Sequence, residues 1–292
     1  MRKERFIGAA CFTALAGVGL FLRSRYEREQ ISVEPVVIET DKIGKKCTMV
    51  FLSDLHDHQF GAGNRRLIKA IHQVNPDLVL IGGDMMVTRG KADTTVSLNL
   101  IRELVKRYPV YYGNGNHETR MRRERHIYGR QYQEYVKQLQ RLGVMVLSDR
   151  TEYFRSDIAI TGMDLEERFY LNFKPDHLHA EEITEKIGTP EQNRFHILLS
   201  HSPLYFDAYK KWGADLTLAG HFHGGTIRIP FLGGLMTPQF QFFLPWCAGT
   251  FHKGDSHMIV SRGLGTHSVN IRLNNKPQLV VVKLCGKSSA KL

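Results

Sequence analysis

The sequence predicts an α/β domain in which two β-sheets pack against each other. Strand-like and helix-like segments alternate from residue 33 to residue 219, which is the pattern of α/β proteins. After residue 226 the strand-like segments follow one another with no helix between them, which indicates a second sheet packed face to face on the first. Polar and ionisable residues gather where the predicted strands end, and we expect the functional site at those ends.

The individual elements follow from apolar periodicity and from the glycine and proline residues that bound them. In the first half, we predict strands over 33–39, 47–52, 77–81 and 110–112, with helices over 64–74, 95–107 and 119–142. Short strands at 144–147, 152–154 and 158–161 and a helix over 180–186 come next. The second half predicts strands over 195–199 and 216–219 around a helix over 204–211, and then strands over 226–229, 258–261 and 279–284.

Composition and charge limit the class of protein. The chain has 292 residues, of which 42% are hydrophobic and 24% are charged, as is typical of a globular protein. No linker-like stretch interrupts the middle, so we expect one catalytic domain over 31–292 after an N-terminal segment over 1–30. A net charge of +11 favours anionic partners, but no RNA- or DNA-binding motif accompanies it, and we expect no specific nucleic-acid partner.

The four cysteines are scattered and contain no CxxC pair, which favours free buried thiols over a disulfide framework. They are Cys11, Cys47, Cys247 and Cys285. A domain of this length has a core large enough to be stable without disulfides.

The N-terminal segment resembles a membrane-insertion signal. An almost uninterrupted apolar run over 6–22 has Arg2, Lys3 and Arg5 before it and Arg23, Arg25 and Arg28 after it. The run is at the lower limit of length for a bilayer-spanning helix, and no small residues follow it to form a cleavage site. We therefore expect an uncleaved N-terminal hydrophobic helix that anchors the protein in the cell membrane, rather than a removed signal peptide. The basic residues on both sides leave its orientation open.

Five short segments place metal-ligand residue types at the ends of predicted strands. They are Ser53-Asp54-Leu55-His56, Gly82-Gly83-Asp84, Gly113-Asn114-Gly115-Asn116-His117-Glu118, Ser200-His201-Ser202 and Gly220-His221-Phe222-His223-Gly224. Each segment is a weak signal alone. Together they follow hydrophobic strands in a consistent chain order, which favours a metal site.

The residue types suit a pair of divalent ions. Two ions held about 3.5–4 Å apart require neutral imidazoles and anionic oxygens, with at least one carboxylate bridging them to offset their repulsion. Asp84 is the natural bridge. Alternation at a strand end would point Asp54 and His56 the same way, and His221 and His223 likewise. Mixed imidazole and carboxylate sites accept Mn, Fe, Zn or Co, so the residues do not identify the metal.

The order D-x-H, GD, GNHE, H and GHxH resembles the calcineurin-like metallophosphoesterase superfamily over roughly residues 45 to 284. The N-terminal segment and the pattern Val260-Ser261-Arg262-Gly263-Leu264-Gly265 are similar to its bacterial membrane-associated phosphodiesterase branch. The resemblance implies a four-layer α-β-β-α sandwich, in which two packed mixed β-sheets are flanked by helices.

The resemblance also implies a role for each site residue. Asp54, His56 and His223 would bind one ion, Asn116, His201 and His221 the other, and Asp84 would bridge. His117 would stand over the reacting phosphorus as a general acid or as an electrostatic partner of the developing charge. Glu118 would orient the loop from outside the ligand set, for example through a hydrogen bond to a ligand histidine.

Three further signals concern the substrate. Arg120 and Arg123 follow the GNHE loop and are candidates to bind a substrate phosphate. Thr88 stands where the Ser/Thr protein phosphatase signature has an aspartate, which counts against a protein phosphatase. The aromatic stretch over 231–251 is either a hydrophobic rim that meets lipid or a segment that packs on the sheet, and both alternatives stay open.

We expect a metal-dependent phosphoesterase, in particular a phosphodiesterase, that hydrolyses a phosphate ester or anhydride with a metal-bridging hydroxide. The main alternative is a lipid-linked pyrophosphatase that cleaves a nucleotide-diphospho-lipid at the membrane surface. A third alternative is a non-catalytic scaffold that retains the fold. The presence of every ligand-type residue together with His117 argues against the scaffold.

Overall fold

Two β-sheets packed face to face form the centre of the molecule, as predicted. The computed structural model describes residues 2–171, 175–237, 241–244, 246–266 and 270–286, with side chains from residue 14 onward. Within these ranges each of the two large sheets contains six strands, and helices cover both outer faces. The order of layers is therefore helices, sheet, sheet, helices.

The strands and helices have the following bounds in chain order. The strands are β1 (Ser32–Thr40), β2 (Cys47–Leu52), β3 (Leu78–Ile81), β4 (Val110–Tyr112), β5 (Met145–Val146), β6 (Arg150–Phe154), β7 (Ile158–Met163), β8 (Phe195–Ser200), β9 (Leu216–Ala219), β10 (Arg228–Ile229), β11 (Gly233–Gly234), β12 (Gly249–Lys253), β13 (Ser256–Val260) and β14 (Gln278–Gly286). The helices are α1 (Arg2–Arg28), α2 (Arg65–Val74), α3 (Thr95–Leu104), α4 (Asn116–Arg123), α5 (Arg125–Tyr128), α6 (Gln131–Arg141), α7 (Ala180–Ile187) and α8 (Phe206–Trp212).

Both large sheets are mixed, and their central strands are parallel. The first sheet has the order β1-β14-β2-β3-β4-β5, with β2 to β5 parallel and β14 antiparallel to β2. The second has the order β12-β13-β9-β8-β7-β6, with β13, β9, β8 and β7 parallel and both edge strands antiparallel. Parallel strands share an edge at which all their carboxyl ends meet, and loops at that edge form the site.

The apolar residues of the central strands explain the layered packing. In β2, Met49 and Phe51 face the other sheet, whereas Val50 and Leu52 face the helices. A strand that is covered on both faces is apolar throughout, and this is why β2, β3 and β8 read as continuous apolar runs. Helices α2, α3 and α6 cover the first sheet, and α7 and α8 cover the second.

The expectation that the last strands build a second sheet on their own was wrong. The second sheet begins at β6, and from the tail it receives only β12 and β13. The last strand, β14, returns to the first sheet and inserts between β1 and β2. Residues from Gln278 to Val282 are all buried, so this strand requires cover on both faces, but its apolar pattern does not specify which sheet supplies it.

The single helix predicted over 119–142 is divided into α4, α5 and α6. Glu124 leaves the helical conformation with φ −87° and ψ 56°, and Gly129 has φ 57°, which glycine adopts without the steric cost of a side chain. The first of these helices, α4, also begins earlier than predicted, at Asn116, so that His117 lies in its first turn.

The N-terminal segment forms a helix, α1, where the apolar run predicts one. In the part of the chain that the structure describes, no helix combines the length and the apolarity needed to cross a membrane, so the predicted membrane-spanning anchor is not supported. The boundary at residue 30 between this segment and the catalytic domain stays a prediction.

The cysteine prediction is confirmed for Cys47 and Cys247, which are buried free thiols. Burial raises the pKa of Cys47 to about 12 and that of Cys247 to about 11, so both are inert at neutral pH. Cys285 is free and half-buried, and the side chain of Cys11 lies outside the described residues.

Candidate metal centre

Five loops from both sheets meet at one edge of the sandwich. The loops after β2, β3 and β4 carry Asp54 and His56, Asp84, and Asn116 and His117; those after β8 and β9 carry His201, and His221 and His223. Within the first sheet β2, β3 and β4 are parallel to one another, and within the second sheet β8 and β9 are parallel, so the carboxyl ends in each set lie together. The seven predicted aspartate and histidine side chains are therefore brought together in space. Asn116 directly precedes His117, whose backbone N–H donates to Asp84 Oδ1 at 2.8 Å.

Asp84 lies at the middle of this cluster. Its Oδ2 atom is 3.1 Å from His201 Nε2, 3.8 Å from His56 Nε2 and 4.0 Å from His117 Nε2. Three groups of side chains have ligand atoms close enough to hold a metal ion: Asp54, His56 and His223; His56, Asp84 and His117; and Asp84, His201 and His221. Asp84 and His56 each belong to two of the groups, so the groups are contiguous.

The Asp54 side of the cluster is equally compact. Asp54 Oδ1 is 3.5 Å from His223 Nε2, 3.6 Å from His201 Nε2 and 3.8 Å from His56 Nε2. The Nε2 atoms of His56 and His223 are 3.2 Å apart. Ser53 Oγ donates a hydrogen bond of 2.6 Å to Asp54 Oδ2, which orients the carboxylate.

The backbone of the ligand residues is strained. Asp54, His56, Asp84, His221 and His223 all have positive φ, between 47° and 68°, a region that non-glycine residues seldom adopt. Such residues cost of order 1–3 kcal/mol each and concentrate at functional sites. The predicted convergence of Asp54 and His56 is present, but the predicted reason was wrong, because β2 ends at Leu52 and a left-handed turn, not strand alternation, brings them together.

Close packing explains two of the glycines in the predicted segments. A Cβ atom on Gly115 would lie 2.2 Å from Asp84 Oδ1, and one on Gly220 would lie 2.3 Å from Asp54 Oδ2. Both distances are far below van der Waals contact. Any side chain at these two positions would displace a carboxylate of the cluster.

Backbone carbonyls orient two of the imidazoles. His201 Nδ1 is 2.7 Å from the carbonyl of Gly82, and His223 Nδ1 is 3.3 Å from the carbonyl of Gly265. Because a carbonyl only accepts, Nδ1 carries the proton in the neutral form of each ring, and in that form Nε2 presents its lone pair to the cluster. This is the arrangement that metal-binding histidines adopt.

Polar atoms that face the cluster fit a bound metal. Among the described residues, Asn116 Oδ1 is buried without a hydrogen-bond donor, and the buried atoms Asp84 Oδ2 and His201 Nε2 have no partner of good hydrogen-bond geometry apart from their mutual approach to 3.1 Å. Buried polar atoms are normally satisfied, and those that are not require an explanation. A cation bound between these atoms would satisfy all three, and the oxygen and imidazole donors suit a first-row transition metal.

The electrostatics of the cluster fit the same explanation. Burial raises the pKa of Asp54 to about 6, and the charge of Asp84 adds to this effect. Burial also opposes ionisation of Asp84, yet His201 and His117 hold the pKa of that carboxyl well below its usual range. Burial would lower the pKa of His201, but Asp84 and Asp54 raise it to about 10. Without a metal, protonated imidazole compensates the carboxylates, and a cation would take over that role.

His117 has a different environment from the candidate ligands. The backbone N–H of Thr88 donates a hydrogen bond of 2.9 Å to His117 Nδ1, and Thr88 Oγ1 is 2.8 Å from the same atom. Since Nδ1 accepts, the proton of the neutral ring is on Nε2, which faces Asp84. His117 therefore presents an N–H donor toward the cluster rather than a lone pair. The threonine noted in the sequence is its direct partner.

Glu118 holds the loops that carry Asp84 and Asn116. Its two carboxylate oxygens accept hydrogen bonds from the backbone N–H groups of Asp84 (2.8 Å), Met85 (3.0 Å) and Gly115 (2.9 Å). The hydroxyl of Tyr112 donates a fourth, at 2.6 Å. The predicted orienting role fits these contacts, although the partners are backbone groups and a tyrosine instead of a ligand histidine.

Replacing Glu118 by glutamine should destabilise the protein and reduce its activity together. A glutamine amide would turn an N–H group toward one of the four donors and leave both buried and unsatisfied, at a cost of about 1–3 kcal/mol. Urea unfolding measures this cost. Glu124→Gln, on the same stretch but paired with the exposed Arg123, is the matched control and should unfold as wild type does. Equal stability of the two variants would contradict the role given to Glu118.

The two arginines proposed for substrate binding lie in different environments. Arg120 is half-buried and donates to the carbonyl of Thr88 at 3.4 Å, which places it beside the partner of His117. Arg123 is exposed and forms ion pairs with Glu124 at 2.7 Å and Glu167 at 2.8 Å. Of the two, only Arg120 has a contact next to the cluster.

Sequence reasoning missed two residues beside the centre. Asp164, which follows β7, accepts hydrogen bonds from Asn114 Nδ2 (3.1 Å), Ser148 Oγ (2.5 Å) and Arg122 Nη1 (2.8 Å), and so joins the second sheet to the GNHE loop. Its position directly after an apolar strand is the signal that could have found it. The ring of Tyr170 lies 5.0 Å from that of His221, and nothing in the sequence marks it.

Comparison with known proteins places the chain in a family. The model of the calcineurin-like phosphoesterase family matches residues 48–225. The chain is 27% identical to the uncharacterised metallophosphoesterase YkuE of Bacillus subtilis over an aligned length of 307 positions. The alignment covers 97% of this chain and 98% of YkuE. It is 25% identical over 240 residues to the metallophosphoesterase YkoQ of the same organism, with 80% of this chain and 82% of YkoQ covered. It is also 25% identical over 240 residues to a protein named phosphodiesterase YaeI of Escherichia coli, with 81% of each chain covered.

The predicted superfamily is thus confirmed, while its membrane-associated branch stays a prediction. The matched residues 48–225 contain all five segments that form the cluster around Asp84. This chain belongs to the calcineurin-like phosphoesterase family and is a metallophosphoesterase.

Proposed function

We propose that the protein is a phosphodiesterase that uses two divalent metal ions. The observation that carries the proposal is the position of Asp84, whose Oδ2 atom lies 3.1 Å from His201 on one side and 3.8 Å from His56 on the other. A single carboxylate between two groups of donors is the arrangement that a pair of ions requires. The name of the relative YaeI, phosphodiesterase, supports this substrate class.

The ligands divide into two sets around Asp84. Asp54, His56 and His223 would hold one ion, and Asn116, His201 and His221 the other, with Asp84 shared. When bound, the ions supply a hydroxide near neutral pH and offset the charge of the phosphoryl oxygens. The ligand types accept Mn, Fe, Zn or Co.

The chain's own residues position the substrate and a proton. His117 Nε2–H is directed toward the cluster by Thr88 and would donate to an oxygen of the reacting phosphoryl group or to the leaving oxygen. Arg120, beside Thr88, would bind a further phosphate oxygen. The burial of the cluster strengthens each of these interactions, because little water competes for the donors.

Hydrolysis of bis-p-nitrophenyl phosphate by the purified full chain tests the function. We expect turnover to be lost after treatment with a chelator, to return when Mn²⁺ is added, and to exceed turnover of the monoester p-nitrophenyl phosphate. A protein that binds metal but hydrolyses neither ester with any of the four metals would instead support the scaffold alternative. Faster hydrolysis of the monoester would replace the phosphodiesterase assignment with a phosphomonoesterase.

Replacing Arg120 by alanine should raise KM for the diester about tenfold or more, since hydrogen bonds to charged groups contribute about 1.5–3 kcal/mol. Arg123→Ala is the matched control on the same helix and should leave kinetics unchanged, because Arg123 is exposed and paired with Glu124 and Glu167. Steady-state kinetics of the wild type and the two variants show which arginine binds the substrate. An effect of Arg123→Ala larger than that of Arg120→Ala would reverse the assignment.

A second candidate, cleavage of a lipid-linked diphosphate at a membrane surface, is supported by exposed apolar residues near the centre. The β10–β11 hairpin follows the 3₁₀ turn His223–Gly225 directly and packs on Gly225. At and beyond its tip, Phe231, Leu232, Phe242 and Phe243 are all more than half exposed, Phe231 fully. Exposed apolar patches of this kind mark interaction sites. Pro238, Phe240 and Pro245 of the same stretch lie outside the described residues.

The double variant Phe231→Ser with Leu232→Ser tests this candidate. If the hairpin meets a lipid surface, the variant loses turnover of a lipid-linked diphosphate in detergent micelles but keeps wild-type turnover of bis-p-nitrophenyl phosphate. The lipid-linked substrate would be excluded if the wild type prefers the soluble diester and the variant behaves as wild type does on both substrates.

A further inference from the structure

The last turns of α1 contain two buried polar residues on a helix that is otherwise exposed at this end. Ser24 is 4% exposed and Glu27 is completely buried, whereas their neighbours Arg23, Arg25 and Tyr26 are exposed. A carboxylate is almost never fully buried unless it is paired or hydrogen-bonded. The partners of these two residues therefore indicate what this end of the helix does.

Both residues bind backbone groups of the segment 272–275. Ser24 Oγ accepts a hydrogen bond of 3.0 Å from the N–H of Arg272. Glu27 Oε2 accepts one of 2.9 Å from the N–H of Asn275, while Arg23 Nε donates to its other oxygen at 2.7 Å. The helix thus binds two positions of a segment that is far away in the chain, since both contacts have a sequence separation of 248.

One of the two positions, Asn275, supports the backbone of a candidate ligand. Asn275 is fully buried, and its Nδ2 atom donates to the carbonyl of His223 at 2.7 Å and to that of Thr226 at 3.1 Å. His223 has a φ of 49°, a conformation that surrounding contacts have to stabilise. The amide of Asn275 supplies such a contact at the strained residue itself.

The other position, Arg272, supports the imidazole of the same ligand. Arg272 is 1% exposed, and its Nη2 atom donates to the carbonyl of Gly265 at 2.7 Å and to that of Arg262 at 2.8 Å. The carbonyl of Gly265 is the group 3.3 Å from His223 Nδ1. Arg272 therefore fixes the carbonyl that orients the His223 ring.

We propose that Ser24 and Glu27 of α1 are positioning residues for the metal ligand His223, acting through Arg272 and Asn275. The C-terminal end of α1 then helps to fix the geometry of the metal centre, in addition to joining the N-terminal segment to the rest of the chain. This inference rests on the proposed function, because it assumes that His223 binds a metal ion. Partners of this kind, outside the ligand set, affect metal affinity by about 10–100-fold when they are replaced.

The affinity of the metal-free full chain for Mn²⁺, measured by calorimetry, tests the proposal. We expect Glu27→Ala to weaken Mn²⁺ binding about 10–100-fold, and Ser24→Ala to weaken it in the same direction. Glu27→Gln should bind Mn²⁺ nearly as wild type does, because its amide oxygen still accepts from the N–H of Asn275, while the exposed Arg23 that faces its other end can turn to solvent. Arg25→Ala, which changes an exposed residue of the same turn, is the matched control. Thermal unfolding of each metal-free variant establishes that it is folded.

The possible outcomes separate this inference from the proposed function. Wild type that binds none of Mn²⁺, Fe²⁺, Zn²⁺ and Co²⁺ would remove the proposed function itself. Wild-type affinity in both Glu27→Ala and Ser24→Ala, with normal Mn²⁺ binding and turnover in the wild type, would overturn only the role of α1. If Glu27→Ala does not fold, the smaller change Ser24→Ala decides, because it removes one hydroxyl and leaves Glu27 in place.

Discussion

Replacing Asp84 by asparagine should remove both metal binding and activity. The change keeps the shape of the side chain but removes the charge that is shared by the two proposed sets of ligands, one containing His56 and the other His201. Because bound ions supply several kcal/mol of transition-state stabilisation, we expect kcat/KM to fall at least about a thousandfold. Elemental analysis of the purified variant, alongside diester kinetics, measures both effects.

Asp57→Asn is the matched control for this variant. Asp57 lies in the same group of loops, is half-buried, and accepts a hydrogen bond of 3.0 Å from the N–H of Val87. It belongs to none of the three groups of possible metal ligands. An asparagine oxygen preserves its hydrogen bond, so metal content and kinetics should stay at wild-type values. Full metal content in Asp84→Asn would refute the central role given to Asp84.

Replacing His117 by alanine should abolish most of the activity but leave the metal content unchanged. Its Nδ1 atom accepts from Thr88, and its Nε2–H donor is 4.0 Å from Asp84 Oδ2, so it is placed to assist the reaction instead of binding an ion. Loss of a positioned proton donor lowers kcat/KM by about 10²–10⁴-fold. Metal analysis and kinetics on the same preparation distinguish this result from that of Asp84→Asn.

The leaving group identifies which role His117 has. If Nε2–H protonates the leaving oxygen, the loss in His117→Ala should be larger for a diester with an alkyl leaving group than for bis-p-nitrophenyl phosphate, whose leaving group needs no proton. An equal loss for both substrates indicates electrostatic stabilisation. A variant with reduced metal content would show instead that His117 is a ligand, as its grouping with His56 and Asp84 also permits.

Much of the fold followed from local pattern because the central strands are covered on both sides. Continuous apolar runs that end at polar, glycine or proline residues predicted the bounds of β2, β4 and β9 correctly. The pairing of β14 did not follow, because an apolar strand fits the middle of either sheet and only long-range contacts choose one. The division of the helix over 119–142 depends on Gly129, whose left-handed conformation the amphipathic pattern does not reveal.

The residues of the candidate centre were predicted more completely than the residues that hold them in place. Aspartate and histidine at strand ends are uncommon enough in combination to be noticed, and Asp54, Asp84, His201 and His223 are found within a few ångströms of one another. Glu27, Arg272 and Asn275 gave no signal, because a charged or amide residue in a polar stretch is ordinarily solvent-exposed. Their burial depends on contacts between segments at opposite ends of the chain.

The amino-acid sequence by itself determined the family, the layered α/β class and the set of residues that can bind metal, because these depend on residue type and on order along the chain. The tertiary structure alone decided how those residues converge, through left-handed backbone at Asp54, His56 and Asp84, and which groups orient them. The physical reason is that a strained backbone conformation and a buried polar contact are stable only within a surrounding fold that enforces them. That fold is created by contacts between distant segments, such as those of α1 with residues 272–275 and those of β14 with β1 and β2.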